Sequence, residues 1–185
     1  MKVKLTEQQF RRVILREQDE DSQYYDIDVT EENKKKKLGK YFTYEDLYSK
    51  GNNKLYIFKK SLSALDKVID KWPYTDYPIR LTNQVKSSKN GAYRDPAWNN
   101  KNSGSGTTGP HTEGWAFDLY VKDWPEDIRL ELLKYLDQAE FRGFGHGAGV
   151  IHADMGNKRF WSYSGYKKPD EKEYREVSPD ETPIN

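Results

Sequence analysis

Apolar residues fall into a few well-separated periodic runs along this chain, and each run predicts an element. Phe10, Val13 and Ile14 follow the helix-start pair Thr6 and Gln9 at helical spacing, which predicts a short helix over residues 7–17. Thr43-x-x-Asp46 is a second start signal and introduces a short helix near Tyr44–Ser49, stopped by Gly51. Leu55–Phe58 is a brief apolar run, either a strand or the lead-in to the next helix. Leu62, Leu65, Ile69 and Trp72 then mark one face of an amphipathic helix that Pro73 ends, because proline lacks the N–H that continuation needs. Ile79–Val85 and Trp115–Val121 have strand composition. Pro125 opens a helix with Ile128, Leu132, Leu133, Leu136 and Ala139 as its stripe. Val150–Asp154 and Arg159–Tyr163 read as strands separated by a tight Gly156-Asn turn.

Two stretches lack such periodicity. Residues 18–40 are dense in charge, including Asp19-Glu-Asp21 and Lys34 to Lys37, and read as solvated surface. Residues 87–110 form a long loop rich in Ser, Gly and Asn; so long a loop in a compact domain points to a site. Gly143 to Gly149 is a glycine-rich turn. The mixture of helices with hairpin-like neighbours at 150–163 predicts an α+β class, a small antiparallel sheet flanked by helices in a single domain. The organisation expected is a helical and charged segment 1–55 packed on or leading into a domain at 56–166, followed by a polar tail at 167–185.

Composition narrows the function classes. Hydrophobic residues are 35% of the 185 and charged residues 33%, with fourteen Tyr, seven Phe and five Trp supplying much of the core volume. A net charge of +1 argues against a dedicated nucleic-acid binder. No stretch approaches the ~18 apolar residues of a membrane helix, and the first residues lack the apolar core of a signal peptide, so synthesis in a cytoplasm without membrane insertion is expected. With no cysteine, disulfides and thiol chemistry are excluded, and His, Asp and Glu are left as the main metal ligands.

Candidate chemistry concentrates in Gly109 to Asp118 and Gly149 to Gly156. These segments hold two of the three histidines, His111 and His152, together with Asp118 and Asp154. Two imidazoles and a carboxylate are a common ligand set for catalytic zinc, so His111, Asp118 and His152 are expected to bind Zn2+. His152 and Asp154 alternate onto one face of their strand. Asp118 lies mid-strand, where a carboxylate is costly unless paired or metal-bound. His111 precedes it on a loop that Gly114 lets turn back.

These motifs resemble the zinc peptidases of the M15 type, the D-alanyl-D-alanine carboxypeptidase and peptidoglycan endopeptidase group, whose fold is shared with the hedgehog signalling domain. The likeness rests on His111-x-x-Gly114-x-Ala116-x-Asp118, on Ile151-His152-x-Asp154-x-Gly156-x-x-Arg159-x-Trp161, and on Tyr93-Arg94-x-Pro96-x-x-Asn99, over roughly residues 60–163. It implies zinc on His111, Asp118 and His152, and Arg94 holding a carboxylate or carbonyl of a peptidoglycan stem peptide. Tyr93 and Trp98 beside the loop are candidates for substrate contact, and Trp115 for the core. Better-known members carry an acidic base three residues before the last histidine. Gly149 stands there in this chain, which leaves Asp154 and His146 as candidate bases. The expected activity is zinc-dependent hydrolysis of amide bonds in peptidoglycan, suited to a phage lysis or virion-associated enzyme. The alternative is a binding or virion structural protein of the same fold, with zinc or without metal; His146 would then be the obvious fourth ligand of a closed zinc site.

Overall fold

The computed structural model describes residues 22–85, 90–104 and 106–163 of the chain; the helix expected at 7–17 and the tail at 167–185 lie outside them. The charged stretch contains a strand. β1 (Tyr24–Asp28) precedes a two-residue hairpin of β2 (Lys37–Leu38) and β3 (Phe42–Thr43), and α1 (Tyr44–Leu47) follows at once. Thr43 starts α1 as its sequence signal indicates, donating its backbone N–H (2.7 Å) and its hydroxyl (2.8 Å) to the Asp46 carboxylate. β4 (Lys54–Phe58) resolves the open reading of that run in favour of a strand, antiparallel to β1, with Leu55 and Ile57 buried. β1 escapes a pattern reading because Tyr24 packs face to face on Tyr56 at 4.6 Å while acidic residues alternate with its rings. The lysines do stay at the surface, with Lys35, Lys36 and Lys37 exposed.

α2 (Lys59–Lys71) runs on directly from β4 and buries Leu62, Ala64, Leu65 and Val68, and the helix stops before Pro73 as expected. The strand predicted at 79–85 does not form. Leu81 makes a single bridge to Leu119, and Thr82–Val85 is a 3-10 turn. Polar side chains divert this backbone: Gln84 accepts from the Leu81 N–H at 2.9 Å and Asn83 from the Gly91 N–H at 3.2 Å. The long loop likewise contains a helix, α3 (Pro96–Ser103). Asp95 caps it by accepting from the Trp98 N–H at 3.0 Å, and Pro96 occupies its first turn. Its apolar residues are confined to its start, Pro96 to Trp98, and the rest are polar, so no apolar stripe announces it.

The main sheet comprises β5 (Ala116–Tyr120), β6 (Gly143–His146), β7 (Val150–Asp154) and β8 (Arg159–Ser162), with α4 (Glu126–Gln138) between β5 and β6. Strand order is β5-β7-β6-β8. β7 is antiparallel to β5 and β6, whereas β8 pairs with β6 in parallel. The class is therefore α+β, but the sheet is mixed, and β7 and β8 do not form the hairpin their spacing suggests. Register divides the sheet into two faces. Phe117, Leu119, Phe144, Ile151 and Ala153 share one core with Leu65 of α2 and Leu132, Leu133 and Leu136 of α4. Val29, Leu38, Phe42 and Leu47 from the first elements join the same core. Asp118, His152 and Asp154 lie on the other face.

Of the glycine run expected to be a turn, only residues 147–149 turn, leading into β7, and Gly143–His146 is the strand β6. Its glycines face the site side, Gly143 opposite Asp154 and Gly145 opposite His152. A Cβ at Gly145 would sit 2.6 Å from two Trp161 ring carbons, so the missing side chain makes the space that the indole fills. Gly145→Ala is accordingly expected to destabilise the fold by about 1–3 kcal/mol through overpacking, with changed tryptophan fluorescence. Chemical denaturation monitored at that fluorescence checks this, and an unchanged curve would show that Trp161 does not lie over β6.

Candidate metal centre

The loop between α3 and β5 delivers His111. It is a tight turn in which the Glu113 N–H donates to the Gly109 carbonyl at 2.9 Å and the Trp115 N–H to Pro110 at 3.0 Å. Gly114 closes it with φ +76°, and the Phe58 N–H of β4 donates to the Gly114 carbonyl at 2.9 Å. A Cβ there would stand 3.0 Å from the Tyr56 carbonyl carbon, so both conformation and space call for glycine. The turn sequence predicted at Gly114 is thus what brings His111 back beside Asp118.

Asp118 of β5 and His152 of β7 are directly opposite in register, which sets their side chains next to each other on one face. His111 Nε2 lies 3.1 Å from Asp118 Oδ1 and 3.1 Å from His152 Nδ1, and His152 Nδ1 lies 2.9 Å from Asp118 Oδ1. The remaining ring nitrogens are committed. His111 Nδ1 is 2.7 Å from the Ala92 carbonyl, and His152 Nε2 is 2.8 Å from Asp154 Oδ2. Those acceptors assign the ring protons to the committed nitrogens, so both facing nitrogens present lone pairs in the neutral rings. All three residues are buried. Zinc bonds of about 2.0–2.1 Å in tetrahedral geometry separate neighbouring ligand atoms by about 3.3 Å, close to the triangle seen here. This His-Asp-His group can hold a metal ion.

The supporting partners are equally specific. Arg94 forms an ion pair with Asp118 Oδ2 and donates from Nε to the Asn90 carbonyl at 2.8 Å. Asp154, with no exposed surface, accepts from His152 and from Arg159 Nη2 (2.6 Å) on Oδ2 and from the Gly156 N–H (2.8 Å) on Oδ1. Burial opposes ionisation of Asp118, yet His111 and Arg94 hold its pKa well below the ordinary value. Burial likewise disfavours charge on His152, but hydrogen bonds with Asp118 and Asp154 outweigh it and raise its pKa. For His111 burial dominates, aided by Arg94, and the pKa is lowered.

A cleft of about 460 Å3 opens beside this group; Arg94, Asn99, Thr108, His111, His152, Arg159, Phe160, Trp161 and Tyr163 are among its lining residues. His111, Asp118, His152 and Arg94 are brought together as the sequence indicates. Of the other candidates, Asp154 stands behind His152, whereas His146 and Tyr93 are placed elsewhere. His146 is not in a glycine loop: it lies fully buried on β6 opposite Ile151, on the core face, with Nδ1 3.9 Å from a Glu126 oxygen. Strand alternation therefore separates it from the cleft, where neither a base nor a fourth ligand could be drawn from it. Tyr93 is buried and packs edge-on against Tyr56 at 5.9 Å, in the core rather than on the cleft wall. Asp154 touches His152 but is not among the lining residues, its oxygens being occupied by three donors. Trp98 and Trp115 are half-buried and do not line the cleft.

Two cleft residues with a part in the site went unassigned by sequence reasoning, Arg159 and Trp161. The indole lies 5.1 Å from the His152 ring and the Arg159 guanidinium 5.2 Å from the indole. Both stand in the motif running from Ile151 to Trp161, and their alternation with Tyr163, just past β8, is the signal that could have given them a part in the site. Comparison with protein-family models, with curated proteins and with solved structures finds no match for this chain.

Two outcomes follow from the electrostatics. His152, with its raised pKa, contributes stability present below the ordinary imidazole value of 6.5 and lost as pH rises through the raised value. His111, with its lowered pKa, contributes stability present above 6.5 and lost as pH falls. Metal-free protein is therefore expected to melt at its highest temperature near pH 6.5, while bound metal replaces the His152 proton and removes the alkaline decline. Melting curves across pH with chelator or with added zinc check this; an alkaline limb unmoved by metal would remove the ion from this group. Asp154→Ala is expected to weaken metal binding about 10- to 100-fold, read by competition with a chromophoric chelator.

Proposed function

We propose that this chain is a zinc-dependent peptidase that hydrolyses amide bonds in the peptides of bacterial peptidoglycan, on a fold of the hedgehog and D-Ala-D-Ala peptidase type. The observation that carries the reading is the triangle of His111, Asp118 and His152 donor atoms at the edge of an open cleft. Three protein ligands leave a position for water or substrate, as catalytic zinc requires and a closed structural site does not. Zinc held there supplies Lewis acidity toward a scissile carbonyl and acidifies water near neutral pH.

The chain's own residues do the remaining work. Asp154 keeps His152 in the tautomer that exposes Nδ1, and the Ala92 carbonyl does the same for His111 Nε2. Arg94 balances the Asp118 charge, fixing which carboxylate oxygen turns toward the metal position. Asn99, whose Nδ2 donates to the Gly106 carbonyl at 2.8 Å, holds the far side of the cleft against the loop that carries His111.

One observation favours a second reading, in which the same zinc-loaded domain binds peptidoglycan without cutting it: among the described residues, none lining the cleft is an Asp or Glu that could take up a proton. Zinc analysis of the wild type and His152→Ala, with release of new amino groups from peptidoglycan followed on the same samples, separates the two. A peptidase shows about one zinc per chain and amine release, both lost in the variant. Zinc without amine release favours the binding domain. Absence of metal from the wild type refutes both.

A further inference from the structure

The cleft needs a group that reads the substrate, and Arg94 is poorly placed for it. Its side chain is only 7% exposed, and it spends its charge on Asp118 and its Nε–H on the Asn90 carbonyl. Arg159 is different. Its side chain is 39% exposed, lines the same cleft, and is already held in one orientation. Nη2 donates to Asp154 at 2.6 Å, Nη1 donates to the Asn157 carbonyl at 3.2 Å, and the planar group lies over the Trp161 ring. A guanidinium carries five N–H donors, so both anchors leave donors facing outward, and the ordering cost is met before any ligand arrives.

Charge points the same way. In this group Asp118 and Asp154 offset Arg94 and Arg159, and a divalent ion then leaves a local excess of positive charge. Among the described residues, none lining the cleft is acidic. Net positive, such a wall favours an anion, and a planar fork favours a carboxylate in particular. The Trp161 ring, which also lines the cleft, offers apolar surface beside it to the same residue.

We infer that Arg159, supported on Trp161, is the specificity-determining residue of the cleft and binds a free carboxylate of the substrate peptide. The inference rests on the cleft being the substrate site. Arg159 also touches Asp154, so a substitution there could disturb His152; the test therefore varies the ligand as well as the protein. The probes are a synthetic stem-type peptide with free carboxylates and the same peptide with those groups converted to carboxamides.

Zinc-loaded wild type is expected to bind the carboxylate peptide about tenfold or more tightly than the carboxamide, by calorimetry. In Arg159→Gln at saturating zinc, the discrimination falls to about twofold or less, because the carboxylate loses affinity and the carboxamide does not. Arg159→Lys keeps the charge but not the fork and falls between them. If cleavage is observed, the same ratios appear in kcat/KM. Equal affinity of the wild type for both peptides overturns the inference, as does discrimination that survives in Arg159→Gln. Preferential binding without cleavage supports it while rejecting the peptidase reading, so the two failures are distinguishable.

Discussion

Two imidazole lone pairs and a carboxylate oxygen meet within 3.1 Å of one another in a place from which water is largely excluded. Such an arrangement repels itself unless a cation sits among the three atoms. A proton on one ring can do so in the metal-free chain, where the two histidines shift in opposite directions: burial lowers the pKa of His111, whereas at His152 hydrogen bonds with Asp118 and Asp154 outweigh burial and raise it. A divalent ion does so better, since it can bond to all three donors at once. Much of the surrounding structure serves to hold the donors in this arrangement. The strand register sets Asp118 beside His152, a left-handed glycine turns His111 toward them, and the segment at Gly91–Arg94 ties down a strand N–H, a ring nitrogen and a carboxylate oxygen.

The remainder of that face is organised by size. β6 contributes no side chain at Gly143 and Gly145, and the volume is taken by Asp154 and Trp161 from its two neighbours. The result is a stack running outward from the metal position, imidazole then indole then guanidinium, at 5.1 and 5.2 Å. Rigid neighbours of this kind restrict the rings more firmly than hydrogen bonds alone. Burial of Asp154 is tolerated because it gathers three donors and so has no need of solvent.

How much of this was legible beforehand depended on what each residue had to say. Rare residues in fixed spacing announced the site: with three histidines in the chain, His111 and His152 flanked by Asp118 and Asp154 stand out. Amphipathic periodicity announced α2 and α4, and a start signal announced α1. Elements whose logic is tertiary stayed hidden. β6 reads as a turn because its glycines make sense only against Trp161 and His152 across the sheet. α3 lacks an apolar stripe and is declared only by its Asp95-Pro96 start. β8 was expected to fold back on β7, but no local signal reports that β6 would lie between them. The same strand alternation that placed His152 and Asp154 correctly would have put His146 on the opposite face, had β6 been read as a strand.

The pairing of Asp118 with His152 spans 34 residues of chain, and His111 reaches His152 across 41. Contacts this far apart form only after long loops have closed. α4, β6 and the β6–β7 connection all lie in the chain between β5 and β7, so no short segment of the chain contains the whole ligand set. A metal ion held by this group would therefore be captured only once β7 lies against β5, as a latch on the closed seam, and any condition that opened the seam would release it.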